Sequence, residues 1–294
     1  MSKLLNVSSS PHVRCGVSTK NLMYDVAIAM LPATIWGVMQ FGIYSLIVVV
    51  ATVLSCVLSE YLFETLMHKP VTISDGSALV TGMILGLNMP PAIPLWMPIL
   101  GGVFAIIVVK QLYGGLGQNW MNPALAARCF MLISFAQAMT KFTDPVTDAV
   151  ASATPLAAIK AGDTYDLAAM FIGKIPGTIG EVSVIALLIG AAYLVVRKVI
   201  SLRIPLTYII TTAVFIFIFG NHDPYYVACE VCGGGLIFGA FFMATDYVTS
   251  PVTPAGQYVF GVVLGLLTGI FRLWGASAEG VSYAIILSNL LVPV

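Results

Sequence analysis

Long apolar stretches, separated by short polar ones, occupy most of the chain. Charged residues are absent, for example, from 76–109, 182–196, 204–220 and 247–271. Because a backbone in hydrocarbon must satisfy its own hydrogen bonds, such stretches predict membrane-spanning helices; they are too long and unbroken for barrel strands. The pattern predicts ten helices, at about 22–41, 43–67, 76–90, 94–114, 121–140, 182–201, 204–220, 226–245, 257–275 and 279–294.

Composition narrows the class of protein further. Of the 294 residues, 9% are charged and 59% are apolar, and the formal net charge is zero. Soluble domains carry about 25% charged residues, so the composition excludes a soluble enzyme and a disordered chain. The lack of net positive charge or a basic stripe excludes a nucleic-acid binder. The polar, mixed residues 1–20 lack the apolar core of a signal peptide.

The predicted helices form two groups of five, 22–140 and 182–294, around a charged segment at 141–181 and after a polar segment at 1–21. Copies with an odd number of spans must be inserted in opposite directions. The third helix of each group is short, glycine-rich and ended by proline or a proline-rich turn, which is typical of transporter binding sites at mid-membrane. The alternative is that these glycines only allow close helix packing.

We therefore predict an all-α polytopic membrane protein with about ten transmembrane helices in two inverted five-helix repeats. Orientation follows from the lysines and arginines of short loops. With the N-terminus inside, eight of these residues fall inside and four outside, and Lys110 is counted inside and Arg272 outside. Both termini are thus predicted to be cytoplasmic, with 141–181 outside the cytoplasmic membrane.

Few charged residues fall within the predicted helices. Arg128 lies about two turns into the fifth helix, where a charge is costly unless it is paired or faces a polar cavity. Asp246 follows the broken eighth helix and is a candidate functional residue. Glu60 and Glu64 lie near a helix end, where snorkelling towards the membrane surface would explain them.

Cysteine and histidine residues give weaker signals. The pair Cys229-x-x-Cys232 is half of a four-ligand zinc or iron–sulfur site, although buried cysteines acting as small apolar residues are the more common case. The three histidines lie in three different loops. The chain has no four-cysteine cluster motif and no Gly-x-Gly-x-x-Gly fingerprint after a strand, so we expect no direct NAD binding.

The segment from Asp148 to Leu156 predicts the start of a helix in the outer loop. Thr154 suits the N-cap position and Pro155 suits the first helical position. The free N–H groups at a helix start can also bind a phosphate. A surface helix cap without a ligand is the alternative.

This segment resembles the flavin-attachment site of the D subunits of Rnf complexes, the membrane-bound ferredoxin:NAD⁺ oxidoreductases. Their paralogues are the B subunits of sodium-translocating NADH:quinone oxidoreductases. The resemblance covers essentially the whole chain and includes the stretches 88–96, 114–128 and 242–249. The family pattern is usually Ser-Gly-Ala-Thr, whereas this chain has Ala151-Ser152-Ala153-Thr154.

The resemblance implies a subunit that relays electrons from reduced ferredoxin towards NAD⁺ and couples the transfer to export of Na⁺ or H⁺. It implies FMN joined through its phosphate to Thr154, with Asp148 and Ser152 nearby, and a second, non-covalent flavin, riboflavin. It also implies partner subunits, including another that carries covalent FMN. The alternatives are a passive channel or secondary transporter, or a scaffold, each without a cofactor.

The second flavin is expected at the cytoplasmic start of the fifth helix, held by Asn119, Trp120 and Asn122. FMN on Thr154 would lie outside, while NAD⁺ is reduced inside, and the hydrocarbon core between them is about 30 Å thick. A second carrier is therefore needed nearer the cytoplasm. Amide side chains can donate and accept hydrogen bonds, as the edge of a flavin ring requires. The alternative is an ordinary helix cap at Asn122 and a tryptophan at the membrane interface.

An ion path is expected where the two broken helices end. Asn88, Thr245 and Asp246 would supply oxygen ligands at these unwound turns, as hard cations prefer. The alternative for Asp246 is a cap on the following turn.

Overall fold

The computed structural model describes residues 18–143, 150–151, 155–160, 166–275 and 280–293. The regular elements of this part of the chain are helices, apart from short strands β1 (Phe142–Thr143) and β2 (Val150–Ala151), which pair antiparallel, and a 3-10 turn at Ile73–Asp75. The helices are α1 (Thr19–Phe41), α2 (Ile43–Leu66), α3 (Ser77–Leu87), α4 (Trp96–Gln111), α5 (Pro123–Ser134), α6 (Ala136–Met139), α7 (Pro155–Lys160), α8 (Leu167–Ile172), α9 (Val184–Val196), α10 (Arg203–Phe219), α11 (Pro224–Cys232), α12 (Leu236–Met243), α13 (Pro254–Trp274) and α14 (Val281–Leu291).

Each of the ten predicted apolar segments contains a helix. Three helices, α1, α2 and α13, are long and apolar enough to cross a membrane. The pair α11 and α12, bent by 62° at a short break, makes a fourth candidate span, and the remaining apolar helices are shorter. The chain is thus an all-helical membrane protein with several candidate spans, whereas ten spans in two inverted repeats stay a prediction.

Several helices begin with a polar cap followed by proline. The Asn122 side chain accepts hydrogen bonds from the N–H groups of Ala124 and Leu125, at 3.0 and 3.3 Å, just before α5. Asp223 caps α11 and Thr253 caps α13 in the same way, and proline follows each of them. The cap satisfies backbone donors that have no partner within the helix, and proline has no N–H to lose there.

Small residues set the close packing of the helices. A Cβ added to Gly82 of α3 would lie 2.6 Å from the Cα of Val53 in α2, so only glycine allows this approach. In the second half of the chain, Gly261 and Gly265 of α13 face α10 at similarly close range. Close helix packing, which the sequence analysis gave as the alternative role of the glycines in the third helix of each group, thus accounts for Gly82.

Two helices widen into π-helix along part of their length. The second half of α4, Phe104–Gln111, is π-helical, and so is Gly239–Met243 of α12. Both segments are buried on at least one side, and Lys110 and Gln111 lie in the first of them. Single π turns within α-helices are rare and are frequent at functional sites.

The bundle has two ends that can be told apart by their contacts. At one end, the starts of α1 and α3 and the ends of α4 and α12 line a common cavity; we call it the Lys110 end. At the other, the N–H groups of Ile179 and Gly180 donate to the carbonyls of Met89 and Leu87 at the end of α3. We call this the Glu181 end.

Candidate functional site

A cavity at the Lys110 end brings together residues from both halves of the chain. Its volume is about 80 Å³, which is smaller than the roughly 300–1,000 Å³ of typical small-molecule sites. Apolar side chains of α1, α3, α9 and α12 form most of its wall. Its polar lining includes four residues that the sequence singled out, Asn119, Asn122, Thr245 and Asp246, together with Ser77, Thr81 and Lys110.

The two asparagines keep hydrogen-bonding capacity towards this cavity. Asn119 Nδ2 donates to the carbonyl of Met121 at 3.1 Å, and the Oδ1 of Asn122 caps α5. Within the described residues, Asn119 Oδ1 and Asn122 Nδ2 make no hydrogen bond, which leaves one acceptor and one donor. Trp120 lies apart from this lining: its side chain is exposed and meets the Tyr113 ring edge-on, with 6.0 Å between centroids.

The three residues predicted for an ion path separate into two places. Thr245 and Asp246 line the cavity at the Lys110 end. The Asp246 carboxylate accepts hydrogen bonds from Thr249 Oγ1 at 3.0 Å and from the Val248 N–H at 3.5 Å, so it also caps its own turn. Burial raises the pKa of this carboxyl in the loop after α12, and the Thr249 hydrogen bond partly offsets the shift. Asn88 lies beyond the other end of α3.

A buried ionic network lies beside the cavity. It includes two glutamates that the sequence analysis interpreted as snorkelling towards the membrane surface. Lys110 Nζ donates to both carboxylate oxygens of Glu60, at 2.7 and 3.0 Å, and to Ser77 Oγ at 2.6 Å. Gln111 bridges Glu60 and Glu64, and Glu64 also accepts from the backbone and hydroxyl of Thr72. The snorkelling prediction for Glu60 and Glu64 is wrong, because both are almost fully buried.

The sequence carried a signal for this network. Glu60 and Glu64 are four residues apart and so share one face of an apolar helix. Lys110 ends a run of 34 uncharged residues, 76–109. The orientation count treated Lys110 as a loop charge, but its side chain is buried and paired.

Arg128 occupies a second buried polar site, at the Glu181 end. Its Nη1 donates to Asn88 Oδ1 at 2.7 Å and to Ser282 Oγ at 3.1 Å, and its Nη2 lies 3.9 Å from Glu181 Oε2. These contacts join the end of α3, the loop before α9 and the start of α14. The prediction that a charge here is either paired or faces a polar cavity is confirmed, by the pair with Glu181.

Arg272 forms a third buried site, where α13 ends. Its Nη1 lies 3.3 Å from Glu230 Oε2, and its Nη2 donates to the carbonyls of Gly233 and Gly234, at 2.9 and 3.3 Å. The orientation count treated Arg272 as an outside loop charge, which the burial of its side chain corrects. When Lys110 and Arg272 are both removed from the count, seven lysines and arginines remain inside and three outside. The excess of positive residues on the inside is therefore unchanged.

Cys229 and Cys232 lie in α11 and, within the described residues, form no disulfide; Cys229 is fully buried and Cys232 partly. Among the described residues, no group of three or more histidine, cysteine or acidic side chains could hold a metal ion. Burial as small apolar residues accounts for Cys229, which packs with Ile159 and Met170.

The predicted attachment residues Asp148, Ser152 and Thr154 lie outside the described residues. The described chain resumes at Pro155, where α7 begins, as the sequence predicts. Pro155 and Leu156 are buried, so this first turn packs against the bundle rather than projecting from it.

Comparison with known proteins gives a consistent result over nearly the whole chain. The profile of the NQR2, RnfD, RnfE family matches residues 6–294. The D subunit of the Na⁺-translocating ferredoxin:NAD⁺ oxidoreductase complex of Acetobacterium woodii is 46% identical, covering 99% of this chain and 92% of the relative. The D subunit of the proton-translocating ferredoxin:NAD⁺ oxidoreductase complex of Clostridium ljungdahlii is 40% identical, covering 99% and 93%.

A more distant relative also matches over nearly the whole length of the chain. The D subunit of the ion-translocating oxidoreductase complex of Methanosarcina acetivorans is 33% identical, with 98% of this chain and 92% of the relative covered. These relatives are subunits of a redox enzyme complex that translocates ions. Given the match of the profile and of these full-length relatives, the chain belongs to the NQR2, RnfD, RnfE family.

Proposed function

We propose that this chain is the membrane subunit through which an ion-translocating ferredoxin:NAD⁺ oxidoreductase relays electrons across the cytoplasmic membrane. The observation that carries the proposal is the similarity, over nearly its whole length, to proteins named as D subunits of such complexes. The chain would act only within a complex, because it would need partner subunits to bind ferredoxin and NAD⁺. The partners would also include a second subunit that carries covalent FMN.

The proposed arrangement of the membrane helices is two inverted repeats, α1–α5 and α9–α14, with both termini in the cytoplasm. Contacts between the halves support it: the first helices of the two groups, α1 and α9, pack together, and so do the fifth helices, α5 and α14. Pairing of like with like is expected for two copies related by a two-fold axis. In this orientation the Lys110 end is cytoplasmic and α7 lies outside.

Riboflavin would bind in the cavity at the Lys110 end, and the side chains that line it would have to move apart to admit the ring, because the cavity volume is about 80 Å³. The polar groups present suit the edge of the ring, because Asn119 Oδ1 can accept and Asn122 Nδ2 can donate a hydrogen bond there. Apolar side chains would cover its faces. Riboflavin has no phosphate, so it needs no free cation, and the Lys110 ammonium is already engaged by Glu60 and Ser77. A flavin there would supply electron transfer, while the protein would orient it and exclude water.

Covalent FMN is proposed on Thr154 of the outer loop. Support comes from the sequence pattern around Thr154 and from the start of α7 at Pro155, which that pattern predicts. The decisive test is the ultraviolet fluorescence of the denatured chain on a gel. The wild type should fluoresce and Thr154→Val, which keeps the side-chain shape but removes the hydroxyl, should be dark. Ser152→Ala is the control and should stay fluorescent.

A fluorescent Thr154→Val band would reject the attachment residue. A dark wild-type band would reject covalent flavin altogether and favour a transporter or scaffold without a cofactor.

The riboflavin site can be tested without damaging α5. Asn122→Asp and Asn122→Ser both keep an oxygen that caps the helix, but both remove the amide donor. We expect less extractable riboflavin from the denatured complex of each variant, while covalent FMN is unchanged. Full riboflavin recovery from both variants would reject this placement.

For the coupling ion, Na⁺ or H⁺, we propose a path past Thr245 and Asp246 at the Lys110 end and Asn88 at the Glu181 end. Asp246→Ala should abolish the cation dependence of turnover. Thr249→Val removes the hydrogen bond from the hydroxyl to the Asp246 carboxylate but keeps the carboxylate, so it should retain that dependence. Unchanged cation dependence in Asp246→Ala would exclude Asp246 from the path.

A further inference from the structure

A second recess at the Lys110 end opens at the surface of the bundle, where α9 ends and α10 and α13 begin. We call it the Lys198 groove. Its volume is about 510 Å³, within the roughly 300–1,000 Å³ of typical small-molecule sites. Beside apolar side chains, its lining contains the polar residues Lys198, Ser201, Thr245, Tyr247, Ser250 and Gln257. Among the described residues no acidic side chain lines it, so the lining is positively charged.

Lys198 is held in a backbone conformation that glycine usually adopts. Its φ angle is +57°. Its N–H donates to the Val195 carbonyl at 3.0 Å, and the Val199 N–H donates to the Leu194 carbonyl at 2.9 Å. These two bonds are the Schellman pattern that ends a helix, in which glycine is preferred at the left-handed position. Other residues held in this conformation cluster at functional and ligand-binding sites.

Gln257 connects the segments that form the groove. Its Oε1 accepts hydrogen bonds from Arg203 Nη1 at 3.4 Å and from Ser201 Oγ at 3.5 Å. Its Nε2 donates to the Pro251 carbonyl at 3.3 Å. A residue of the lining thus holds Arg203 at the rim of the groove.

The positive charges of this region differ in their partners. Arg197 Nη2 lies 3.3 Å from Asp25 Oδ2. In the part of the chain that the structure describes, Lys198 and Arg203 form no ion pair with a carboxylate. Both are exposed, so two positive charges remain at the groove for an anionic ligand.

The surface next to the groove is apolar. Val196 and Val252 are 79% and 90% exposed, and Leu202 and Leu206 are also exposed. Lipid tails are as apolar as leucine, so they can cover such a surface of a membrane protein. A phospholipid combines these tails with a phosphodiester at the membrane surface, and basic pockets between membrane helices bind anionic lipid headgroups.

We propose that the Lys198 groove binds one anionic phospholipid, such as phosphatidylglycerol. Its phosphate would lie between Lys198 and Arg203, the Ser250 hydroxyl would donate to the headgroup, and the acyl chains would cover the adjacent apolar surface. These three residues lie outside the lining of the cavity proposed for riboflavin. The lipid site would therefore be present whether or not the chain carries flavin.

A lipid in this groove would also support the neighbouring cavity. Three residues line both the groove and the cavity: Ile200, Thr245 and Tyr247. The Tyr247 hydroxyl donates to the carbonyl of Val199, which ties the loop after α12 to the end of α9. The bound lipid would pack against the outer side of this shared wall.

The test measures lipid binding to the purified complex after its own lipids have been removed with detergent. Phosphatidylglycerol and phosphatidylcholine with identical acyl chains are titrated, and bound lipid is counted by native mass spectrometry. Phosphatidylglycerol should bind more tightly, and its advantage should shrink as salt is raised, because salt screens exposed charges. Phosphatidylglycerol with a photoreactive acyl chain should label the segments 202–206 or 252–259.

Two variants remove the charges of the groove. Lys198→Gly removes the ammonium and suits the left-handed backbone, so the fold should be kept. Arg203→Gln removes the other charge. Each should weaken the tightest phosphatidylglycerol site about fivefold, and together about thirtyfold, given the contribution of one basic residue near an anionic lipid. Arg197→Gln is the matched control and should bind as the wild type does, because Arg197 is engaged by Asp25.

Four results would overturn the inference. The first is equal binding of the two phospholipids, and the second is wild-type binding of phosphatidylglycerol in the double variant, or in Lys198→Gly if the double variant does not assemble. The third is displacement of the lipid by glycerol 3-phosphate at equal concentration, which would mean that the acyl chains contribute nothing. The fourth is photolabelling confined to other segments or to a partner subunit.

Discussion

Replacement of Lys110 by methionine should strongly destabilise the protein, because it leaves a buried carboxylate without its charge partner. Lys110 makes three hydrogen bonds, two of them to Glu60. In the variant, Glu60, which has no exposed surface, would keep only the bond from Gln111 Nε2, at 2.9 Å. Removal of one partner of a buried ion pair costs about 3–5 kcal/mol. The free energy of unfolding, measured by denaturant titration of the detergent-solubilised protein, should fall by that amount.

Two further variants complete the cycle. Lys110→Met combined with Glu60→Gln removes both charges, and because replacement of a whole buried pair is often neutral, this variant should recover most of the loss. Lys69→Met, which removes an exposed lysine, should cost little. The reasoning is refuted if Lys110→Met is as stable as Lys69→Met, or if the double variant is no more stable than Lys110→Met.

Three other outcomes are expected. Gly82→Ala should lower the free energy of unfolding by about 1–3 kcal/mol, because its Cβ would meet the Val53 backbone at 2.6 Å; an unchanged value would mean that α2 and α3 are not in close contact. Trp120→Leu should leave extractable riboflavin unchanged, since the indole is exposed and outside the cavity lining, and a loss of riboflavin would contradict this. Arg197→Gln should change the free energy of unfolding by less than about 1 kcal/mol, because Arg197 is half-exposed in its ion pair with Asp25. A larger loss would mean that this ion pair stabilises the protein more than its exposure suggests.

Helix positions were predictable because they depend on local patterns. The apolar stretches contained every long apolar helix. The pairs Asn122-Pro123 and Thr154-Pro155 marked helix starts, although only Pro155 of the second pair lies within the described residues. Both signals depend on residues that are close in sequence. A helix satisfies its own backbone hydrogen bonds, and a cap residue contacts the first N–H groups of the helix that follows it.

The buried charges were harder to predict. Glu60 and Lys110 are fifty residues apart and meet only because α2 packs against α4. Hydropathy shows that a charge lies near a helix end, but not whether the side chain turns towards water or towards a neighbouring helix. The same limit placed Arg272 in a loop.

The π-helical half of α4 restricts how the length of this helix can change. A π turn holds one residue more than an α turn, so deletion of a single residue within Phe104–Gln111 would let the segment relax into regular α-helix. The residues beyond the deletion would then keep their facing, because the relaxation removes the surplus residue. In the α-helical half, Trp96–Val103, no surplus residue exists, so a single deletion there would turn Lys110 by about 100° away from Glu60.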